Sequence, residues 1–191
     1  MVSNPQHVSH EIVAACRAGD RGAFAALVRA TQDDVFTLAL RLTGNAEDAQ
    51  DVTQETYLRA FRAMRSFRGD ASVSTWLYRI AANTAFSHTY RRGRRRTEWL
   101  DGMRYEPPDR RPESDPVSGA EQSELRALLR TALTSLPAGQ RAVVVLKDVY
   151  GFSHEDIAAE IGISVSAAKV RLFRARRSLR ESLFQTRRAE G

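Results

Sequence analysis

The sequence is poor in the residues that cross-link small folds or build metal and redox centres. Cys16 is the only cysteine in 191 residues, so no internal disulfide can form. That cysteine usage suits a reducing, cytoplasmic setting. The four histidines, His7, His10, His88 and His154, are scattered and none has a cysteine partner for zinc. No glycine-rich loop of the phosphate-cradling kind is present. No metal, cofactor or catalytic residue is therefore expected, and the chain does not read as an enzyme. No apolar run approaches the ~20 residues of a membrane span. The start, Met1-Val-Ser-Asn-Pro-Gln6, lacks the basic and apolar regions of a secretory leader. Alternating strand patterns are also missing, with Val143-Val-Val145 the one β-branched run of note.

Lysine is nearly absent. Lys147 and Lys169 are the only lysines among 29 basic residues, and arginine supplies the rest. The net charge is +6 and the pI about 10.1. A basic balance of this size fits a nucleic-acid partner or a merely solvated surface, and its distribution separates the two. Residues 1–100 and 120–191 are each net basic, whereas 101–119 carries three basic and five acidic residues. Segment 99–119 also holds four of the six prolines, which remove hydrogen-bond donors and fix φ. The chain thus reads as all-α: two small helical domains, 8–98 and 120–186, joined by a flexible acidic linker, 99–119.

In the first block, Gly19, Gly44 and Gly69 punctuate helical patterns as left-handed C-terminal caps do. Asn45 is a good N-cap, followed by a stripe of Ala49, Val52, Thr56, Ala60 and Met64, helped by Tyr57 and Phe61. After Gly69, Ser72 or Ser74 can cap a helix whose core stripe is Leu77, Ile80, Ala81, Thr84, Ala85 and His88. In the second block, Leu125, Leu128, Leu129, Ala132, Leu133 and Leu136 form an amphipathic helix stopped by Pro137. A second helix is expected from about Gln140 to Tyr150. Ser153-His-Glu-Asp156 resembles a capping box and opens a short helix that ends at Gly162. Ser164 or Ser166 then caps a long last helix with core positions Ala168, Leu172, Ala175, Leu179 and Leu183.

Three constellations carry chemistry. Residues 157–177 follow the helix-turn-helix plan, with small Ala158 and Ala168 where two helices would cross. The polar face of the second helix carries Lys169, Arg171, Arg174, Arg176, Arg177 and Arg180, and no acid lies between 169 and 180. A solvated face would normally intersperse acids. The helix after Gly69 sets Trp76, Arg79, Asn83, Phe86 and Tyr90 opposite its core stripe. Arg91, Arg92, Arg94, Arg95 and Arg96 follow. Aromatics interleaved with basic and amide groups suit unpaired bases, although Trp76 and Phe86 could equally pack against neighbouring helices. The helix after Asn45 carries Asp48, Asp51 and Glu55, with Gln54 nearby, on one face. That ridge reads as a solvated face, a paired-carboxylate site or a docking surface for a basic partner.

The segments Asp48–Phe61 and Phe67–Asn83 resemble the second conserved region of bacterial sigma factors. Asp148–Ala158 and the helix-turn-helix resemble the fourth. A short chain with only these regions and a linker is similar to the extracytoplasmic-function group of the sigma-70 family. The resemblance implies a subunit that binds core RNA polymerase and directs promoter-specific initiation. Asp48, Asp51, Gln54 and Glu55 would dock on the clamp helices of the largest subunit. The flap of the second-largest subunit would be a further contact, and an anti-sigma factor a further partner. The −10 element would be read as melted strand through Ser66, Phe67, Arg68, Trp76, Arg79, Asn83, Phe86 and Tyr90. The −35 element would be read as duplex through Ser166, Lys169, Val170, Phe173, Arg174 and Arg177, with Arg171 on phosphate. The family often has Gly-Thr-Val and Ser where this chain has Ser166-Ala-Ala168 and Val170. Val170 can touch a thymine methyl but cannot hydrogen-bond a base edge. Two other readings stand beside this one. One is a helix-turn-helix regulator with a helical sensor domain. The other is a nucleic-acid-processing enzyme using Asp48 and Asp51.

Overall fold

Short polar side chains decide where the helices begin. Ser9 Oγ accepts from the Ile12 N–H at 3.3 Å and opens α1 (His10–Ala18). Asp20 Oδ1 accepts from Ala23 at 3.0 Å and opens α2 (Arg21–Thr43). Asn45 Oδ1 accepts from Asp48 at 2.8 Å and opens α3 (Ala46–Ala63). Each cap satisfies an N–H that the helix itself leaves unbonded. Gly19 and Gly44 end α1 and α2 in the left-handed region, as their positions suggest. Gly69 does not cap a helix. Instead, α3 tightens into a 3-10 turn at Met64–Ser66, and Gly69 lies in the loop before α4 (Val73–Trp99). Ser72 caps α4, accepting from the Thr75 N–H at 3.1 Å.

The structure is a computed structural model that describes residues 8–99 and 120–189. Apart from Trp99 at the end of α4, the expected linker lies outside the described residues. The second block contributes α5 (Ala120–Ser135), α6 (Ala138–Val144), α7 (His154–Ile161) and α8 (Val165–Ala189). The helix expected over Gln140–Tyr150 starts at Ala138 and loosens into a π turn at Val145–Val149. Val143, Val144, Val145 and Leu146 are all buried there, so this segment is covered on every side. Among the described residues there is no strand, and the all-α expectation holds.

The first block packs α2, α3 and α4 around Leu27, Val35, Leu38, Val52, Met64, Leu77 and Ala81. Ala49, Ala60 and Ala85 keep the helices close. A buried hydrogen bond of 2.7 Å joins Thr31 Oγ1 to the Tyr57 hydroxyl. On α5 the expected stripe is only partly used: Ala132 and Leu136 are buried, whereas Leu125 and Leu129 are exposed.

The two blocks do not sit apart. Their buried residues form one continuous cluster. α4 packs on α6 and α7, and α2 packs on α5 and α6. Tyr78 of α4 meets Tyr150 edge to face at 5.1 Å, and Arg41 donates to the Tyr150 hydroxyl at 3.1 Å. This seam was not foreseen, because nothing in either block's periodicity marks residues that face another block.

Burial sets a pH dependence. Desolvation pushes Tyr57 and Tyr78 up to about 12, and Tyr150 upward as well. An unfolded tyrosine ionises near ~10, so above that pH the unfolded chain releases protons that the folded chain retains. This contribution is complete below about pH 10 and is lost as pH rises through about 12. The urea midpoint should therefore fall between about pH 9 and about pH 11, less steeply in Tyr57→Phe. Equal midpoints at the two pH values would contradict it.

Candidate nucleic-acid interface

Two serine caps and a glycine shape the helix-turn-helix of α7 and α8. Ser153 Oγ accepts from the Asp156 N–H at 2.9 Å, the N-cap bond expected there, and donates to Asp156 Oδ2 at 2.7 Å, so the aspartate bonds the serine hydroxyl rather than its backbone N–H as a full capping box would. Gly162 ends α7 at φ +67°. Ser164, not Ser166, caps α8, accepting from the Ala167 N–H at 3.1 Å. Ala158, Ala168, Leu172 and Ala175 are buried where α8 packs on its block. The opposite edge of α8 is bare. Ser166, Lys169 and Arg174 are exposed, Val170 is 48% exposed and Phe173 71%. A groove of about 570 Å³ runs beside this edge, lined by His154, Lys169, Phe173, Arg177 and Glu181 among others.

The arginines of α8 are not equivalent. Arg176 makes two bonds to the Asp148 carboxylate, at 3.0 and 2.5 Å, which hold its pKa above the ordinary value. Arg177 is paired with Glu181 at 2.8 Å. Arg171, expected on phosphate, is half-buried against α6. A Cβ on Gly139 would lie 2.9 Å from its Nη1, so a side chain there would displace the guanidinium. Lys169 and Arg174 have no ion pair among the described residues, which leaves them the available cations near the Val170–Phe173 edge.

The expected strand-reading residues are dispersed. Ser66 and Arg68 are exposed. Phe67 is buried and its ring lies 5.0 Å from that of Trp76. Trp76 and Phe86 are half-buried against the core, so they are not free stacking platforms. The side chain of Tyr90 lies outside those described. Arg79 and Asn83 are turned toward α7: Arg79 Nη2 is 2.7 Å from Asp156 Oδ1, and Asn83 Nδ2 donates to the Glu160 carbonyl at 2.9 Å. The buried Arg79 Nε has no hydrogen-bond partner.

The acidic ridge is shorter than expected. Asp48 is buried, receives the Asn45 Nδ2 and lies 4.0 Å from His88 Nδ1. Its first-turn position draws it into capping rather than onto the surface. Asp48 is thus buried while Asp51 stays exposed. Asp51 and Gln54 are exposed, and Glu55 is partly exposed and bonded to Arg59 at 2.7 Å. Leu58 and Phe61 are also nearly half exposed. Leu58 lies three residues after Glu55 and Phe61 seven after Gln54, so both continue the same face, a signal that was legible but was assigned to the core in the case of Phe61.

Residues 27–97 match the family model for Sigma-70 region 2, and residues 126–179 match that for Sigma-70, region 4. The RNA polymerase sigma-H factor of Pseudomonas aeruginosa is 34% identical over 187 residues, covering 93% of this chain and 95% of that protein. The chain belongs to the sigma-70 family. The ECF RNA polymerase sigma factor SigE of Mycolicibacterium smegmatis is 42% identical over 161 residues, covering 82% of this chain. The match spans 60% of that longer protein. The extracytoplasmic-function grouping follows. A solved structure of the sigma factor RpoE with the anti-sigma factor NepR from Bartonella quintana superposes with a TM-score of 0.62 at 29% identity, covering 84% of this chain and 96% of that one.

Family membership makes the chain a sigma factor that directs transcription initiation. It disfavours the regulator with a sensor domain, because region 2 occupies the block that reading left for the sensor. Among the described residues, no helix is long and apolar enough to cross a membrane.

Neighbouring residues on α8 should respond oppositely to truncation. Leu172→Ala removes a buried side chain and should cost about 2–5 kcal/mol of folding stability. Phe173→Ala should change stability by no more than about 0.5 kcal/mol. Chemical denaturation of both variants checks this; comparable losses would mean that the Phe173 edge is not a surface.

Proposed function

We propose that this sigma factor, acting in the cytoplasm, reads the −35 element through the bare edge of α8 and the −10 element as unpaired strand through α4 and the loop before it. The observation that carries this reading is the acid-free edge of Ser166, Lys169, Val170, Phe173 and Arg174, exposed on the second helix of a helix-turn-helix. Lys169 lies in the first turns of α8, where a recognition helix meets base edges. Its ammonium suits guanine O6 and N7, and Val170 suits a thymine methyl. Arg177, farther along, would serve phosphate. In region 2, Asn83 supplies an amide donor and acceptor for an extruded base, with Arg79, Ser66 and Arg68 nearby in sequence.

Core RNA polymerase would dock on the exposed face of α3, made by Asp51, Gln54 and Glu55 and continued by Leu58 and Phe61. Carboxylates beside apolar side chains suit a basic, partly apolar surface such as the clamp helices of the largest subunit. The flap of the second-largest subunit would contact region 4. An anti-sigma factor is a further partner, supported by the complex in which the Bartonella relative was solved. Run-off transcription with core polymerase on genomic templates tests the whole reading. Promoter-specific products that require the chain are expected, and their absence would sink it.

Two variants test its parts. Asp51→Arg with Glu55→Arg sets like charge against the docking partner and should cost several kcal/mol of binding. Wild-type stoichiometry on co-purification with core polymerase would refute the docking face. Lys169→Ala should cost ~1–3 kcal/mol on the cognate −35 duplex and relax preference at one position. A promoter-mutant scan in which every sequence weakens equally would assign Lys169 to phosphate instead.

A further inference from the structure

One acid outside the helix-turn-helix holds a cation on its second helix. Asp148 lies in the π turn at Val145–Val149 that follows α6, and Arg176 lies 28 residues later, on α8. The turn is anchored. Val145 and Leu146 are buried, the Phe152 N–H donates to the Leu146 carbonyl at 3.0 Å, and Lys147 Nζ donates to the Phe152 carbonyl at 3.0 Å. On α8, Leu172 and Ala175 are buried next to Arg176 in the helix. The carboxylate and the helix it meets are thus both held in place. Arg176 Nε donates to Asp148 Oδ2 at 3.0 Å and Nη2 to Oδ1 at 2.5 Å, a two-point match of guanidinium and carboxylate.

The pair faces solvent. The side chains of Arg176 and Asp148 are 53% and 33% exposed, and an ion pair so open contributes little to stability. Its position matters more than its strength. Arg176 lines the same groove as Lys169 and Phe173, beside the edge assigned to the −35 duplex. A phosphate would bond this guanidinium through the same paired N–H groups, and Asp148 occupies them. Arg177 is held more loosely. Its partner Glu181 sits one turn along the same exposed helix rather than on a separate, anchored turn.

We propose that Asp148 is a specificity-determining residue of the −35 interface, which occupies Arg176 and so withholds one sequence-independent phosphate contact from α8. This rests on the assignment of α8 to the −35 duplex. Each phosphate that a basic side chain neutralises adds affinity for any sequence and steepens the dependence on salt. In the cognate complex, base contacts of Lys169 and its neighbours hold α8 in one pose. A freed guanidinium meets phosphate there only where that pose provides one. Non-cognate duplex imposes no such pose, so a freed Arg176 favours wrong sequences more than the right one. Competing sites vastly outnumber targets, which makes this ratio the quantity that matters.

The test uses the full chain, in which the reading edge of α8 is exposed. The wild-type chain first selects a preferred sequence from a randomised pool of short duplexes. Fluorescence anisotropy then measures binding of that duplex, and of a scrambled one of the same composition, over a series of salt concentrations. Asp148→Asn removes the charge and keeps the size, and Arg176→Gln removes the cation. Both positions are exposed, and circular dichroism checks that each variant keeps its helices. Asp148→Asn should bind the scrambled duplex roughly ten-fold more tightly at ~50 mM salt and steepen the slope of log affinity against log salt by about 0.9. The ratio of preferred to scrambled affinity should fall several-fold. Arg176→Gln alone should leave the slope at the wild-type value, and the double variant should return to it. An unchanged slope in Asp148→Asn overturns the proposal. A gain that survives in the double variant does the same, because it reflects net charge alone. Equal gains on both duplexes also overturn it, as does a shallower slope in Arg176→Gln alone, which would place Arg176 on phosphate already. If the wild-type chain enriches no sequence, the failure lies instead in assigning α8 to the −35 duplex, and the proposal falls with it.

Discussion

A buried guanidinium with only carbonyl partners organises this molecule. Removing a cation from water is costly, and with no carboxylate paired to Arg141 among the described residues, oriented dipoles supply the compensation. The end of α2 supplies them: two carbonyls that the helix leaves unbonded, at the negative end of its dipole. Gly44 suits this junction: its φ of +84° strains any L side chain, and a Cβ there would press on Thr134 and Arg141. Tyr78, Tyr150 and Arg41 extend the contact into a small aromatic and hydrogen-bonded seam. Two helical regions that each carry a core are thereby joined into one continuous cluster.

Charge is allocated within this frame rather than spread over it. α8 carries a run of basic residues, yet Arg176 is held by Asp148, Arg177 by Glu181, and Arg171 is laid over Gly139. These contacts leave Lys169 and Arg174 as available cations flanking the exposed apolar edge, with Arg180 farther along the groove. Phe173 and Val170 remain exposed between them, which is costly for a helix in water unless a partner covers the edge. On α3 the division is similar. Asp48 is taken inward to close the first turn, whereas Asp51, Gln54 and Glu55 stay outside and lead to Leu58 and Phe61. On the reading proposed above, the first surface serves DNA and the second core polymerase.

Much of this was legible in the sequence, where the governing interactions are local. Caps act within four residues, so Asn45, Ser153, Gly19, Gly44 and Gly162 marked real boundaries. Helical periodicity marked Leu77, Ala81, Ala85, Leu172 and Ala175 as core, because burial on one face repeats every three or four residues. The acid-free run from Lys169 to Arg180 and the quoted motifs were enough to point to the family. What tertiary structure decided depends on residues distant in sequence. Nothing in the sequence singled out Arg141, and only the approach of α2, about a hundred positions away, turns it inward. Arg79 and Asn83 shared a face with Trp76 and Phe86, yet α7 engages the first two and the core takes the others. Asp48 and Asp51 are three residues apart on one helix, but His88 of α4 covers only the first. A side chain's residue type and helical phase set what it can bond. The element packed against it decides whether that bond is made with water, with DNA or with another part of the chain.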